Sequence, residues 1–424
     1  MRNRLSRRTF LRGTGLGIGP LLSSSMPCSQ EQPPLSSASP ARSALRDQFD
    51  VPAGKLHFVG FFLSITPKSV QAQVARHRIE LERDPVTYWE QQYIAAENRV
   101  RSAAGDYFGV DGLQEIALTD STTMGLGILY SGLKLRSDQE ILSTAHDHIA
   151  TSVALEFRAA RDGAALRTIQ LYDESAKVSA DELVSRLERN LTTRTRVLAL
   201  TWVHSATGVK LPLPDIARMV AQVNQRRDVK DRILLCVDGV HGLGVEDVTL
   251  PQLGCDFVAA GTHKWLLAPR GTGVLWGRKE VWSELHPTIA PFNGQDNPGL
   301  KNTPGGFHTF ENRWAADEAF RFHLRIGKSE VQRRLRTLNK HIRDGLSDLK
   351  NVTMYTPLSD SLSAGITCFG IAGRTPRDVV LSLATKGILA SESPFRPPCV
   401  RVAASLWNTP EEIDELLRQV RALT

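Results

Sequence analysis

The sequence is poor in cysteine, in membrane-length apolar runs and, beyond its first thirty residues, in surplus positive charge. Each shortage excludes a class of protein. Five cysteines occur in 424 residues: Cys28, Cys236, Cys255, Cys368 and Cys399. None forms a CxxC pair and none belongs to a Cys/His cluster at zinc spacing, which argues against a disulfide framework, a structural zinc site or a dithiol redox centre. Cys236 and Cys368 fall inside apolar strand-like runs, where a free thiol behaves as a small buried hydrophobe. After the first thirty residues no apolar run approaches the length of a bilayer span. No internal repeat is visible. The formal net charge is +7, but Arg2, Arg4, Arg7, Arg8 and Arg12 supply five of those charges and leave +2. No basic stripe with interleaved aromatics remains, so nucleic acid is not an expected partner.

What is present begins with SRRTFLRGTGLGIGPLLSSS, a twin arginine followed by a short, glycine-rich apolar run. The first thirty residues contain no acidic residue and no lysine. This pattern resembles a twin-arginine export signal, which implies the twin-arginine translocation machinery as a partner and a periplasmic or exported location. Residues 31–54 read as a linker rich in proline and serine at its start.

Residues 68–105 carry helical periodicity, and Pro85 divides them into two helices. From about residue 115 the pattern changes. The short apolar runs EIALT, EILSTA, ALRTIQL, RVLALTWV, RILLCV and FVAAG alternate with amphipathic stretches such as 180–190 and 214–226. Such alternation argues for βαβ units and a mostly parallel sheet. The segment 271–277 (GTGVLWG) reads as one more strand. Long helical patterns over 314–347, apolar runs at 364–371 and 399–404, and helices at 376–386 and 410–423 suggest a smaller α+β domain. The expected division is a large domain over 55–300, whose first segment packs on the small one, and a small domain over 301–424.

Parallel sheets bind ligands beyond the carboxyl ends of their strands. The residues at those ends are polar and titratable: Ser121, Thr122 and Thr123; Asp147 and His148; His204 and Ser205; Asp238 and His241; His263 and Lys264. Asp238 and Lys264 suit the ends of two successive strands. A carboxylate beside a lysine in that arrangement suggests pyridoxal 5′-phosphate. That cofactor needs an amine to form a Schiff base and an acid to keep its ring nitrogen protonated. Ser121, Thr122 and Thr123 precede a helical stretch, whose N-terminus suits a phosphate. His148 is the candidate to stack on the ring, His241 to hydrogen-bond its phenolic oxygen, and His263 to reach the phosphate. Trp202 and Trp265 read as packing residues.

The segment CVDGVHGLG…GCDFVAAGTHKWLLAPRGTGVLW resembles the aminotransferase class V family of fold-type I pyridoxal-phosphate enzymes, and within it the isopenicillin N epimerase-like branch. The resemblance runs from about residue 55 to the C-terminus. It implies an α/β fold: a three-layer αβα large domain with a mostly parallel sheet, and a smaller C-terminal α+β domain. It also implies that Lys264 carries the cofactor, that Asp238 holds the pyridinium, and that active sites form at a homodimer interface. The segment CVRVAASLWNTPEEID matches the family's C-terminal stretch, in which Arg401 would clamp a substrate α-carboxylate.

Two positions depart from related desulfurases. Ser205 stands where they carry asparagine, and Thr309 is the one plausible phosphate donor in GGFHTFENRW. The loop ILASESPFRPP lacks a cysteine, which disfavours desulfurase chemistry. The expected activity is transamination of an α-amino acid, followed by epimerisation and then C–S or C–C cleavage. A non-catalytic binding protein on the same scaffold is the remaining alternative.

Overall fold

The computed structural model describes residues 45–292 and 297–424. The expected export signal over residues 1–30, Cys28 and linker residues 31–44 lie outside the described residues. The periodic segment 68–105 forms helices Lys68–Arg83 and Pro85–Phe108. Proline is tolerated at the first helical position because the N–H it lacks would have no intrahelical partner there. Asp84 caps the second helix by accepting from Thr87 N at 3.2 Å. That helix ends at Gly109, whose φ of 70° suits a residue without Cβ.

The strands, in chain order, are β1 (Leu56–His57), β2 (Ile116–Thr119), β3 (Glu140–Thr144), β4 (Ala165–Ile169), β5 (Thr195–Thr201), β6 (Leu234–Asp238), β7 (Phe257–Gly261) and β8 (Gly273–Gly277). Strands β2 to β8 form one sheet in the order β2-β8-β7-β6-β5-β3-β4. The pairs among β3 to β7 are parallel. β8 is antiparallel to both its neighbours, β2 and β7. Six strands therefore point one way, and their carboxyl ends share one edge.

Except at the half-buried edge strand β4, the sheet is buried on both faces, which is why its strands read as continuous apolar runs. Leu235 and Val237 of β6 enter one core cluster, while Leu234 and Cys236 enter another. Val258 and Ala260 of β7 likewise oppose Phe257 and Ala259. Helices Thr122–Gly132 and Ile149–Asp162 cover one face. Helices Pro85–Phe108, Ala180–Asn190 and Leu213–Asn224 contribute to the cluster on the other. The result is a helix–sheet–helix sandwich.

The remaining strands are β9 (Val352–Met354), β10 (Thr367–Ile371), β11 (Ile388–Leu389), β12 (Ser391–Glu392) and β13 (Val400–Val402). β12-β13-β10-β9 form a second, antiparallel sheet. Helices Lys328–Ser347, Pro376–Thr385 and Pro410–Arg421 share a separate core with it. β1 pairs in parallel with β11, and Phe58 enters that same core.

Asn339, fully buried, locks this unit together. Its amide accepts from Ala404 N at 2.8 Å and donates to Ala404 O at 3.0 Å. One side chain thus satisfies both backbone groups of a residue two positions after β13. Replacing Asn339 by Ala strands a buried donor and acceptor, so Asn339→Ala is expected to lose about 3 kcal/mol of stability. Denaturant melts of the variant against the parent check it.

Candidate active site

The shared carboxyl edge of the large sheet brings the polar strand ends together. Asp238 closes β6 and is 1% exposed. Its Oδ1 accepts from Val240 N at 3.1 Å, whereas Oδ2 is buried without a partner. Burial pushes its carboxyl up to about 6, although the Lys264 charge pulls the other way. Above that pH it is ionised and keeps one oxygen free for a cationic N–H.

Lys264 follows β7 on the loop that leads into β8. Thr262 and Thr272 clip this loop at its base, with Thr262 N donating to Thr272 O at 3.0 Å and the hydroxyls 2.6 Å apart. Ala268 N donates to Thr262 O at 2.9 Å. Leu267, at φ 61°, is left-handed although it is not glycine, a costly conformation held by this closed loop. Lys264 Nζ lies 3.4 Å from His241 Nε2. Burial lowers the Lys264 amine to about 8; Asp238 opposes that shift and Arg401 adds to it. A lysine lowered in this way holds about a tenth of its amine free and nucleophilic at pH 7, against well under about a thousandth for an ordinary lysine.

His148 caps helix Ile149–Asp162, its Nδ1 accepting from Ala150 N at 3.1 Å. Its backbone N–H donates to Thr201 Oγ1 at the end of β5, at 3.2 Å. Burial, then the Lys264 and Arg401 charges, lower its imidazole to about 4, so the ring is neutral. Phe395 meets it edge-on at 5.4 Å. Beneath it, Asp147 accepts from Thr144 N at 2.7 Å and Thr201 N at 2.5 Å, tying β3 to β5.

At the end of β2, Ser121 caps helix Thr122–Gly132 by accepting from Met124 N at 3.1 Å. Thr122 Oγ1 accepts from Gly261 N at 2.7 Å, joining this helix to the lysine loop. His263 Nδ1 is buried without a partner. A Cβ on Gly261 would sit 2.9 Å from His263 Cε1 and 3.2 Å from Thr122 Oγ1. One on Gly273 would sit 2.8 Å from Thr119 Oγ1 and 3.1 Å from Ser121 N. Both glycines keep this polar cradle open. Thr123 is exposed on the first turn of the helix. Thr309 is exposed at the start of helix Phe310–Trp314. That helix is held to the β2 end by Arg313, which donates to Asp120 Oδ1 at 2.8 Å.

Arg401 comes from β13 and is 6% exposed. Its Nη1 donates to Ser205 Oγ at 2.8 Å and Ser205 O at 3.3 Å. Its Nη2 donates to Ser391 Oγ at 2.9 Å and Glu392 O at 3.2 Å, and its Nε is buried without a partner. The guanidinium lies over Phe61 at 5.2 Å. No carboxylate pairs with it among the described residues. A buried, unpaired cation is costly, which marks the position for an anionic ligand. Ser205, which stands where related desulfurases carry asparagine, holds Arg401. Phe61 was not legible as a site residue, because it arrives by tertiary folding and belongs to no motif; Ser391 and Phe395 lie in the loop ILASESPFRPP, which the sequence read only for its missing cysteine. His204 is structural: its Nδ1 lies 2.9 Å from Tyr172 Oη in the interior.

The lowered amine has a direct signature. Acylation of Lys264 in the cofactor-free chain is expected to rise about tenfold per pH unit below its midpoint and level off above about 8. Exposed lysines should keep rising for about two further units. Peptide mass spectrometry across a pH series reads both.

These residues fit pyridoxal phosphate: a free buried carboxylate oxygen, a nucleophilic amine, a neutral imidazole and a glycine-opened cradle at a helix N-terminus. Comparison with known proteins agrees. Residues 70–416 match the aminotransferase class-V family. Isopenicillin N epimerase of Streptomyces clavuligerus is 28% identical over 382 residues, 84% of this chain and 92% of that protein. A probable cysteine desulfurase of Halalkalibacterium halodurans is 25% identical over 348 residues, 77% of this chain and 80% of that one. A solved structure of a C-DES lysine-to-alanine mutant, with glycine covalently linked to its PLP cofactor, shares the fold at a TM-score of 0.81. It is 22% identical and covers 89% of this chain and 98% of its own. The chain belongs to the aminotransferase class-V family of pyridoxal-phosphate-dependent enzymes.

Proposed function

We propose that the protein removes the α-proton of an α-amino acid and delivers a proton to the opposite face of the same carbon, an epimerase-like reaction. The observation that carries the site reading is the pair at neighbouring strand ends: the unpartnered Asp238 Oδ2 and the lowered amine of Lys264. Pyridoxal phosphate, when bound, supplies an electron sink for negative charge at the α-carbon. Asp238 would hold its ring nitrogen, Ser121, Thr122 and His263 its phosphate, and His148 would lie against its ring. Arg401 holds the substrate carboxylate in a planar two-point grip. That grip fixes which bond at the α-carbon faces Lys264, and Nζ takes the proton.

Transamination stood first on the sequence alone. It shares the same proton removal and differs in where the next proton goes. The match to isopenicillin N epimerase over nearly that protein's whole length moves epimerisation ahead. Desulfurase chemistry needs an accessible thiol. Cys236, Cys255, Cys368 and Cys399 are all buried, and Cys399 Sγ lies 3.3 Å from Ala206 O.

The working unit is proposed to be a homodimer. Trp89, Tyr93, Phe292 and Phe307 form an aromatic cluster that leaves Phe307 82% exposed. An apolar surface of this kind marks an interface. The neighbouring His308 lies 3.4 Å from Asp120, next to Ser121, so a second copy seated there would abut the phosphate end of the site. Light scattering is expected to give twice the 46.8 kDa chain mass, and a monomer at micromolar concentration would contradict this.

Catalysis is read by proton NMR in D2O. Holoenzyme incubated with a panel of L- and D-α-amino acids is expected to exchange the α-proton of its substrate with inversion and without keto acid. Keto acid in stoichiometric yield would establish transamination. Retained visible absorbance with no exchange on any substrate would favour a binding role. Lys264→Ala should abolish both the exchange and the borohydride-trapped cofactor adduct.

A further inference from the structure

Trp265, which reads as packing in the sequence, makes a directed polar contact. Its indole Nε1 lies 3.3 Å from His241 Nδ1. On the other side of the same imidazole, Nε2 lies 3.4 Å from Lys264 Nζ. An indole N–H donates and cannot accept. Nδ1 is therefore the acceptor, and a neutral imidazole that accepts at Nδ1 carries its proton on Nε2. His241 is 2% exposed. Burial, reinforced by the charges of Lys264 and Arg401, keeps its ring neutral.

The indole is itself held in place. A Cβ on Gly365 would fall 2.3 Å from Trp265 Cη2. Gly244, at φ 88°, passes so close that its Cβ would lie 2.6 Å from Trp265 C. Gly365 thus packs on the indole ring itself and Gly244 on the backbone and Cβ of the same residue, so the tryptophan is held at both its base and its ring by segments that only glycine permits.

We propose that Trp265 is a positioning residue that locks His241 in the Nε2–H tautomer, so that the imidazole presents a donor to Lys264. A donor at Nε2 can be received by the free amine of Lys264, which has a lone pair, but not by its ammonium. The lock therefore favours the free amine. The opposite tautomer would turn Nε2 into an acceptor and favour the ammonium. The other groups facing this amine divide: Asp238 favours the ammonium, while Arg401 opposes it. His148 and His263, both neutral through burial, add no charge of their own. The indole decides between these opposing influences through one proton. The same Nε2–H would donate to the ring oxygen of the bound cofactor; that consequence alone rests on the function proposed above, and the lock on the amine does not.

The test uses the full-length chain with 15N-labelled histidine and compares the parent with Trp265→Phe, which keeps an aromatic ring and deletes the donor. His241 resonances are assigned by their loss in His241→Gln. With pyridoxal phosphate added, the parent is expected to show a bare Nδ1 and a protonated Nε2; a protonated Nδ1 overturns the proposal, and this reading needs no variant to fold. In Trp265→Phe the single tautomer should be lost. The acylation midpoint of Lys264 in the cofactor-free chain should rise by about one pH unit. A glutamine at 241 has no tautomer to lock. Trp265→Phe should therefore leave the midpoint unchanged in the His241→Gln background, and an equal shift in both backgrounds would reduce Trp265 to packing. Failure of the cofactor reading shows separately, as a protein that takes up no pyridoxal phosphate while its Lys264 midpoint still responds to Trp265.

Discussion

A guanidinium buried without a counter-ion is the condition around which this molecule is arranged. Arg401 enters the interior with only neutral oxygens around it, from Ser205, Ser391 and the Glu392 carbonyl. Its field reaches Lys264, His148 and His241, and in each case it opposes protonation. The neutral imidazoles and the poised amine are therefore consequences of one unpaired charge as well as of burial. On the opposite side, desolvation and, more weakly, the charge of Asp147 raise the Asp238 carboxyl, and Asp238 is left with an oxygen to offer. The interior holds charge of both signs that it does not neutralise itself, a costly arrangement that a zwitterionic substrate and a charged cofactor would resolve.

Much of this was legible in the sequence for a definite reason. A sheet buried on both faces demands uninterrupted apolar strands, so EIALT, RILLCV and FVAAG announced themselves, and the first polar residue after each had to lie at the carboxyl edge. Asp238, Lys264, His148 and Ser121 were found by that rule. Pro85 divided its two helices as local chemistry requires. The rule says where a residue sits and not what its side chain meets. Thr123 shares the helix start with Ser121 and Thr122, yet the helical turn carries it to the surface. Ser205 lies at a strand end as expected, but it meets Arg401, which is 196 residues away in sequence. No pattern within a single segment encodes such a meeting. Trp265 is the subtler case. Its burial was legible, while the direction of its N–H depends on how Gly244 and Gly365 close around it.

The chain is similar both to isopenicillin N epimerases and to cysteine desulfurases, enzymes named for different reactions. What separates such activities lies outside the Asp238–Lys264 pair. It lies in the reach of a thiol, the direction of proton return and the shape of the substrate grip. The burial of four cysteines speaks to the first of these, and Arg401 with its serine neighbours to the last.

The lodging of Arg401 has a mechanical corollary. Its two terminal nitrogens attach to different sheets: Nη1 to Ser205, beyond the large sheet's β5, and Nη2 to Ser391 and Glu392 in the small one. The side chain is thereby a strut between the two sheets. A carboxylate gripped at two points, as proposed, would use at least one of those nitrogens beside the free Nε, and that bond would be taken from the strut. On the proposed reading, substrate binding would thus loosen the coupling of the two sheets, while the amine at 264, stapled within its own closed loop, would stay in register with the large sheet.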